Sequence, residues 1–193
     1  MAAKPGIRLS SKFEAALQFA AVSHEGQFRK GNRAPYVSHP MAVAALALEC
    51  GATEEQAIAA LLHDVIEDCD VPAEEIKARF GETVAELVLA CTERLNKDSV
   101  PWRARKQDYL DQIAAGPSDA VFVMVCDKFH NLTSLVQDIR FRGSAAWGIF
   151  TATPEEMRWY YRKLVPLFRA RSELNTGRIG ALVAEFERLV SVL

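Results

Sequence analysis

The chain has 193 residues, half of them hydrophobic and a quarter charged, with a formal net charge of −2 at pH 7. This is the composition of a soluble globular domain with ample material for a core, and it excludes a global basic field for nucleic acid; any anionic ligand must be held by locally placed cations. No uninterrupted apolar run approaches the ~18 to 20 residues a membrane span requires, so no membrane-spanning helix is expected.

The four cysteines, Cys50, Cys69, Cys91 and Cys126, form no CxxC pair and lie in or beside apolar helical stretches. Reduced thiols in a cytoplasmic protein are expected, not disulfides or a zinc knuckle. The N-terminal stretch Met1 to Leu9 carries two lone cations and no apolar segment, so it does not read as a signal peptide.

Taken in order, Ser11-Lys12-Phe13-Glu14 has the form of a capping box, and apolar residues from Phe13 through Val22 continue at helical spacing to His24. The segment Glu25 to Tyr36 is polar and turn-rich, with two glycines and the cations Arg29, Lys30 and Arg33, and predicts a loop. Pro40 can open a helix, Met41 to Cys50, which leaves His39 just outside it. Thr53-Glu54-Glu55-Gln56 is a second capping box, opening a central helix that ends near Cys69.

Pro72 and Glu74-Glu75 begin a short helix to Phe80; Gly81 breaks it, and Thr83 to Glu86 caps another running to about Glu93. Trp102 to Ala115 reads as a basic amphipathic helix stopped by Gly116-Pro117. From Ser118 an apolar helix leads through Val125 into Cys126-Asp127-Lys128-Phe129-His130-Asn131, followed by a loop at Gly143 to Thr151. Thr153-Pro154-Glu155-Glu156 caps a long helix through Arg171, and Ile179 to Val190 forms the last. Alternating runs are absent, so the expected class is all-α: a single multi-helix domain over 1–193, its core about 11–173 and a C-terminal helix about 178–193.

The chemistry concentrates at Leu61-Leu62-His63-Asp64-Val65-Ile66-Glu67-Asp68. Read as one continuous helix, His63 and Glu67 are four apart, as are Asp64 and Asp68, so four ionisable groups share a sector of a helix too apolar to be solvated. Such groups are costly in a core unless something compensates, and a bound divalent cation would. A second polar intrusion, Asp127, follows five apolar residues, and Asn131 lies four residues on. His39, His63, Asp64 and Asp127 then make a set of two histidines and two carboxylates. It suits Mn²⁺, Fe²⁺, Zn²⁺ or Mg²⁺, with room for a water or phosphate oxygen if the shell expands.

The blocks His24 to Lys30, Pro35 to Pro40, Ala60 to Asp68, Arg79-Phe80-Gly81 and Asp127 to Leu132 stand in an order that resembles the HD-domain metal-dependent phosphohydrolases, and among them the (p)ppGpp hydrolase branch. The resemblance spans roughly residues 12 to 170 and implies an HD-domain bundle. It implies that His39, His63, Asp64 and Asp127 bind one Mn²⁺, and that Glu67 and Asp68 orient or activate the attacking water. It further implies that Arg29, Lys30 and Asn131 contact a guanosine nucleotide. Lys106 on the basic helix and Tyr160 are added as candidate nucleotide contacts, although Tyr160 also reads as a core residue. The implied reaction is hydrolysis of the 3′-pyrophosphate of (p)ppGpp to GDP or GTP and pyrophosphate, in the stringent response.

The chain departs from that branch at Gly31, at Cys126, at the pair Phe129-His130, and at Thr133 and Ser134, where relatives carry other residues. Two other functions stay open: the same centre acting on another nucleotide phosphate, such as the 2′-phosphate of NADPH, or a non-catalytic nucleotide-binding regulatory module. Expected partners are a small guanosine nucleotide and, for a homo-oligomer, a second copy; neither nucleic acid nor membrane is expected. His24 reads as a loop anchor, and His130 is left out of the ligand set.

Overall fold

The central feature is a helix buried on every side. In the computed structural model, which describes residues 7–193, all of Gln56 to Leu62 is buried, within the helix α3 (Glu54–Leu62). A helix that is apolar all round belongs inside a domain. Four helices pack around it: α1 (Ser11–Ser23), α2 (Ser38–Glu49), α6 (Glu82–Cys91) and α8 (Ser118–Arg142). Ile58, Leu61 and Leu62 are each at most 1% exposed, and each such side chain contributes about 1.5–3 kcal/mol on burial.

The remaining elements are α4 (Val65–Cys69), α5 (Ala73–Phe80), α7 (Trp102–Ala115), α9 (Pro154–Arg169) and α10 (Gly177–Ser191), with 3₁₀ turns at Gly143–Ile149 and Ser172–Asn175. Among the described residues there is no strand, only an isolated antiparallel bridge between Phe28 and Pro35. The expected all-α class is what forms, and no described helix is long and apolar enough to cross a membrane. Of the N-terminal stretch, Met1 to Gly6 lie outside the described residues.

Two capping boxes form as their sequences imply, Thr53 with Gln56 and Thr153 with Glu156. Others do not. Ser10, not Ser11, caps α1, its hydroxyl accepting from the Lys12 N–H at 3.2 Å. The helix α6 starts directly after Gly81, whose φ of 98° makes the break, and not from a Thr83 cap. His39 lies inside the first turn of α2, because its N–H already bonds back to the Tyr36 carbonyl before Pro40 is reached. The helix α9 ends at Arg169, short of Arg171, whose guanidinium instead satisfies the terminal carbonyls of α7 at Ile113 and Gly116, both at 2.8 Å.

The consequential correction concerns the central helix, which is not continuous to Cys69. It stops at Leu62, turns through His63 and Asp64 (φ −102°, ψ −6°), and resumes as α4, closed by Asp70 in the left-handed region. On an unbroken helix neighbouring side chains diverge by about 100°. The turn lets His63 and Asp64 converge instead.

Candidate active site

Four side chains from three parts of the chain meet under the α3–α4 turn. His39 comes from the first turn of α2, His63 and Asp64 from the turn itself, and Asp127 from the middle of α8. His39 Nε2 and His63 Nε2 are 3.2 Å apart. Asp64 Oδ2 lies 3.1 Å from His63 Nε2 and 3.5 Å from His39 Nε2, and Asp127 Oδ1 lies 3.2 Å from His39 Nε2 and 3.6 Å from His63 Nε2. His39, His63 and Asp64 form a cluster able to hold a metal ion.

The protonation pattern is set by outer partners. His63 Nδ1 stands 2.8 Å from the Ala60 carbonyl, to which it can only donate, so the neutral ring presents its lone pair at Nε2. His39 Nδ1 stands 2.8 Å from His130 Nδ1. Burial, with the His39 and Arg29 charges, lowers the His130 pKa to about 4, which favours a neutral ring, and one of the two facing Nδ1 atoms donates to the other. Both Nε2 atoms face carboxylate oxygens.

Donors about 2.1 Å from a shared divalent ion would be separated by about 3.0–3.4 Å, close to the 3.1–3.6 Å between these histidine nitrogens and carboxylate oxygens. The residues fit a divalent metal. Although burial opposes ionisation of both carboxylates, Lys128 and His63 hold Asp127 well below the usual range, and His63 and His39 do the same for Asp64. The carboxylates likewise outweigh burial to raise the His63 pKa, so a proton and a cation compete for one position.

Above this centre opens a cleft of about 400 Å³, lined by Arg29, Lys30, Glu67, Asp68, Lys106, Asn131 and Tyr160 among others. These are all seven of the residues the sequence reading put in catalytic or substrate-contacting roles. They come from the Gly26–Tyr36 loop, α4, α7, α8 and α9. Arg29 Nη2 donates to Asn131 Oδ1 at 3.1 Å, and Asn131 Nδ2 donates to Asp127 Oδ1 at 2.6 Å. Burial, then the Glu93 and Asp64 charges, raises the Glu67 pKa above the ordinary carboxylate range. Tyr160 lines the cleft but is only 4% exposed and packs edge-on against Trp102, and its buried hydroxyl has no hydrogen-bond partner among the described residues, so it is placed as a core residue at the cleft wall.

Several neighbours went unread in the sequence. Tyr36 donates to Asp64 Oδ2 at 2.7 Å and lies 3.1 Å from Asp68 Oδ2. Lys128 pairs with Asp127 Oδ2 at 2.6 Å, and Lys97 with Asp68 Oδ1 at 3.2 Å. Glu93 holds both Arg105 and Lys106. His24, read as a loop anchor, stands 2.8 Å from Gln27 Oε1, and Gln27 in turn donates to the Asp68 carbonyl at 2.9 Å. Only adjacency to Asp127 could have flagged Lys128; the others depend on contacts between distant segments.

A helical bundle with a histidine–carboxylate centre built on a His-Asp pair is the architecture of the HD domain. The profile of that family matches residues 16–146, and the chain belongs to the HD-domain family. Among curated relatives, the guanosine-3′,5′-bis(diphosphate) 3′-pyrophosphohydrolase of Haemophilus influenzae is 36% identical over 119 residues, which are 58% of this chain and 17% of that protein. The guanosine-3′,5′-bis(diphosphate) 3′-pyrophosphohydrolase MESH1 of Drosophila melanogaster is 36% identical over 129 residues, 65% of this chain and 70% of that one. The chain spans less than a fifth of the length of the first curated relatives it matches, 16–18%.

Among solved structures, a metazoan ortholog of SpoT described as hydrolysing ppGpp superposes with a TM-score of 0.76 at 28% identity, covering 100% of both chains. The Listeria monocytogenes protein lmo0812 superposes at 0.68, with 30% identity over 80% of this chain and 97% of that one.

Proposed function

We propose that this protein hydrolyses the 3′-pyrophosphate of guanosine alarmones, (p)ppGpp, releasing pyrophosphate and GDP or GTP, with Mn²⁺ held by His39, His63, Asp64 and Asp127. The observation that carries the reading is the cluster of His39, His63 and Asp64, with Asp127 Oδ1 3.2 Å from His39 Nε2, beside a cleft lined by Glu67, Asp68 and a set of cations. The names of the relatives supply the substrate.

When bound, the cation supplies Lewis-acid polarisation of a phosphate oxygen and a more acidic water. The chain's own groups do the rest. Glu67, with its raised pKa, takes the proton of the attacking water, and Asp68, steadied by Lys97, orients that water. The water oxygen bonds to the phosphorus nearest the ribose, the bond from that phosphorus to the 3′-oxygen breaks, the 3′-oxygen takes a proton from solvent, and Glu67 returns its proton to solvent. Lys106 and Lys128 bring positive charge against the pyrophosphate. Arg29, already bonded to Asn131, offers a planar guanidinium to stack on a purine or to pair with phosphate.

The test is turnover of ppGpp by the purified protein with Mn²⁺, resolved by nucleotide chromatography beside NADPH. Release of GDP and pyrophosphate, abolished by chelator, is expected. Activity on NADPH alone would keep the centre and discard the alarmone.

A further inference from the structure

The floor of the cleft is a polar stripe down one face of α8. Asp127, Asn131, Ser134 and Asp138 follow at steps of four, three and four residues, so they face one way. Asp127 belongs to the donor centre, and the other three line the cleft. At 1.5 Å per residue, Asp138 lies about 16 Å along the axis from Asp127, and helix side chains lean back toward the N-terminus. A nucleoside with its 3′-phosphates at the donor centre would carry its base toward Asp138.

Asp138 runs against the charge of its surroundings. The lining includes six cations, Arg29, Lys30, Lys97, Arg105, Lys106 and Lys128, and its two other carboxylates, Glu67 and Asp68, adjoin the donor centre. A carboxylate at the far end repels phosphate and favours a neutral group with N–H donors. Among the described residues Asp138 accepts no hydrogen bond within 3.5 Å; its ion pair is with Arg142, Nε to Oδ1 at 3.7 Å. Arg142 spends its short bond, 2.6 Å, on the Gly31 carbonyl. Gly31 itself, at φ +92°, is where a Cβ would come within 2.9 Å of Asp138 Oδ2. The glycine that departs from the family pattern lets the loop bearing Arg29 and Lys30 close against this acid.

We infer that Asp138 is the residue that selects guanine. Its two oxygens accept the N1–H and the 2-amino N–H, parallel donors on one edge of that base and the counterpart of a carboxylate fork. Adenine offers on the same edge an unprotonated N1 facing the anion, and hypoxanthine lacks the 2-amino group. The inference rests on the cleft being a site for purine 3′-pyrophosphates.

The experiment measures binding by titration calorimetry in metal-free protein, with guanosine and adenosine 3′,5′-bis(diphosphate) as the probes, so that neither ligand need turn over. The intact protein is expected to favour the guanosine form by about tenfold or more, since a site built around a hydrogen-bond partner rejects the analogue that lacks it. In Asp138→Ala the ratio collapses toward unity by loss of guanosine affinity, while adenosine affinity holds or improves. Arg142→Ala, which keeps the carboxylate and removes its ion pair, keeps the ratio. An unchanged ratio in Asp138→Ala overturns the inference, as does absence of preference in the intact protein. Equal collapse in Arg142→Ala also overturns it, by reducing Asp138 to a loop clasp. Failure of turnover on both nucleotides would defeat the proposed reaction instead, with the binding ratio still deciding the role of Asp138.

Discussion

The Tyr36 hydroxyl donates to Asp64 Oδ2 at 2.7 Å while standing 3.1 Å from Asp68 Oδ2, so one phenol joins the donor centre to the cleft. A hydroxyl has a single proton to give, and Asp64 receives the shorter contact. Burial and the two carboxylates push the Tyr36 pKa upward, which keeps that proton in place. The ring stacks against His24 at 4.7 Å, so the Gly26–Tyr36 loop is tied to the centre it overhangs.

Removing this hydroxyl is expected to weaken the centre without unfolding the protein. Tyr36→Phe keeps the ring and loses the bond to Asp64, and loss of such an outer partner costs about 10–100-fold in metal affinity or activity. Titration of metal-free protein with Mn²⁺, followed by the metal's paramagnetic signal, measures it. Unaltered affinity and unaltered turnover together would contradict the role.

The ligand set makes a sharper demand. His63→Ala removes a donor whose Nε2 lies within 3.6 Å of the other three donor atoms, and it is expected to abolish stoichiometric metal binding. Elemental analysis of the dialysed protein reads this directly; one metal per chain in the variant would show that His63 is not a ligand.

Glu67 and Asp68 line the cleft, whereas the cluster able to hold a metal ion is made by His39, His63 and Asp64. Glu67→Gln and Asp68→Asn should therefore retain metal while losing turnover, by about 10²–10⁴-fold for the residue acting as general base. A paired measurement of metal content and kcat separates the roles. Full activity in the double variant would remove both from the mechanism.

The pH profile should carry the mark of Glu67. It must be ionised to accept a proton, so kcat/KM falls as pH drops through a pKa raised above the ordinary carboxylate range. Glu93 contributes to that rise, and it also binds Lys106, whose charge opposes it. Glu93→Gln removes a like charge and frees the cation, and both changes favour the Glu67 anion. The acid limb is expected to move to lower pH; a limb that stays or moves upward would show that another group governs it.

Some helices could be read closely from the chain. Trp102–Ala115 is bounded by Pro101 and Gly116, and the boxes at Thr53 and Thr153 open helices where local hydrogen bonds dictate. Boundaries failed where a distant or backbone partner decided, as at Arg171, drawn off to cap α7, and at His39, pulled into α2 by the Tyr36 carbonyl. The break at His63-Asp64 was invisible because both residues keep near-helical dihedrals.

The sequence by itself determined the all-α class and the histidines and carboxylates that intrude on apolar helices. Those follow from local propensity and from the cost of burying charge, which act within a few residues. Only the tertiary structure decided that His39, His63 and Asp64 form a cluster able to hold a metal ion, with Asp127 3.2 Å from His39, and that His130 Nδ1 stands 2.8 Å from His39 Nδ1. It also decided that Tyr36, Lys97 and Lys128 hold the carboxylates, and that Asp138 lines the far end of the cleft. These are relations between segments tens of residues apart, and they exist only once α2, the α3–α4 turn and α8 pack around a shared core.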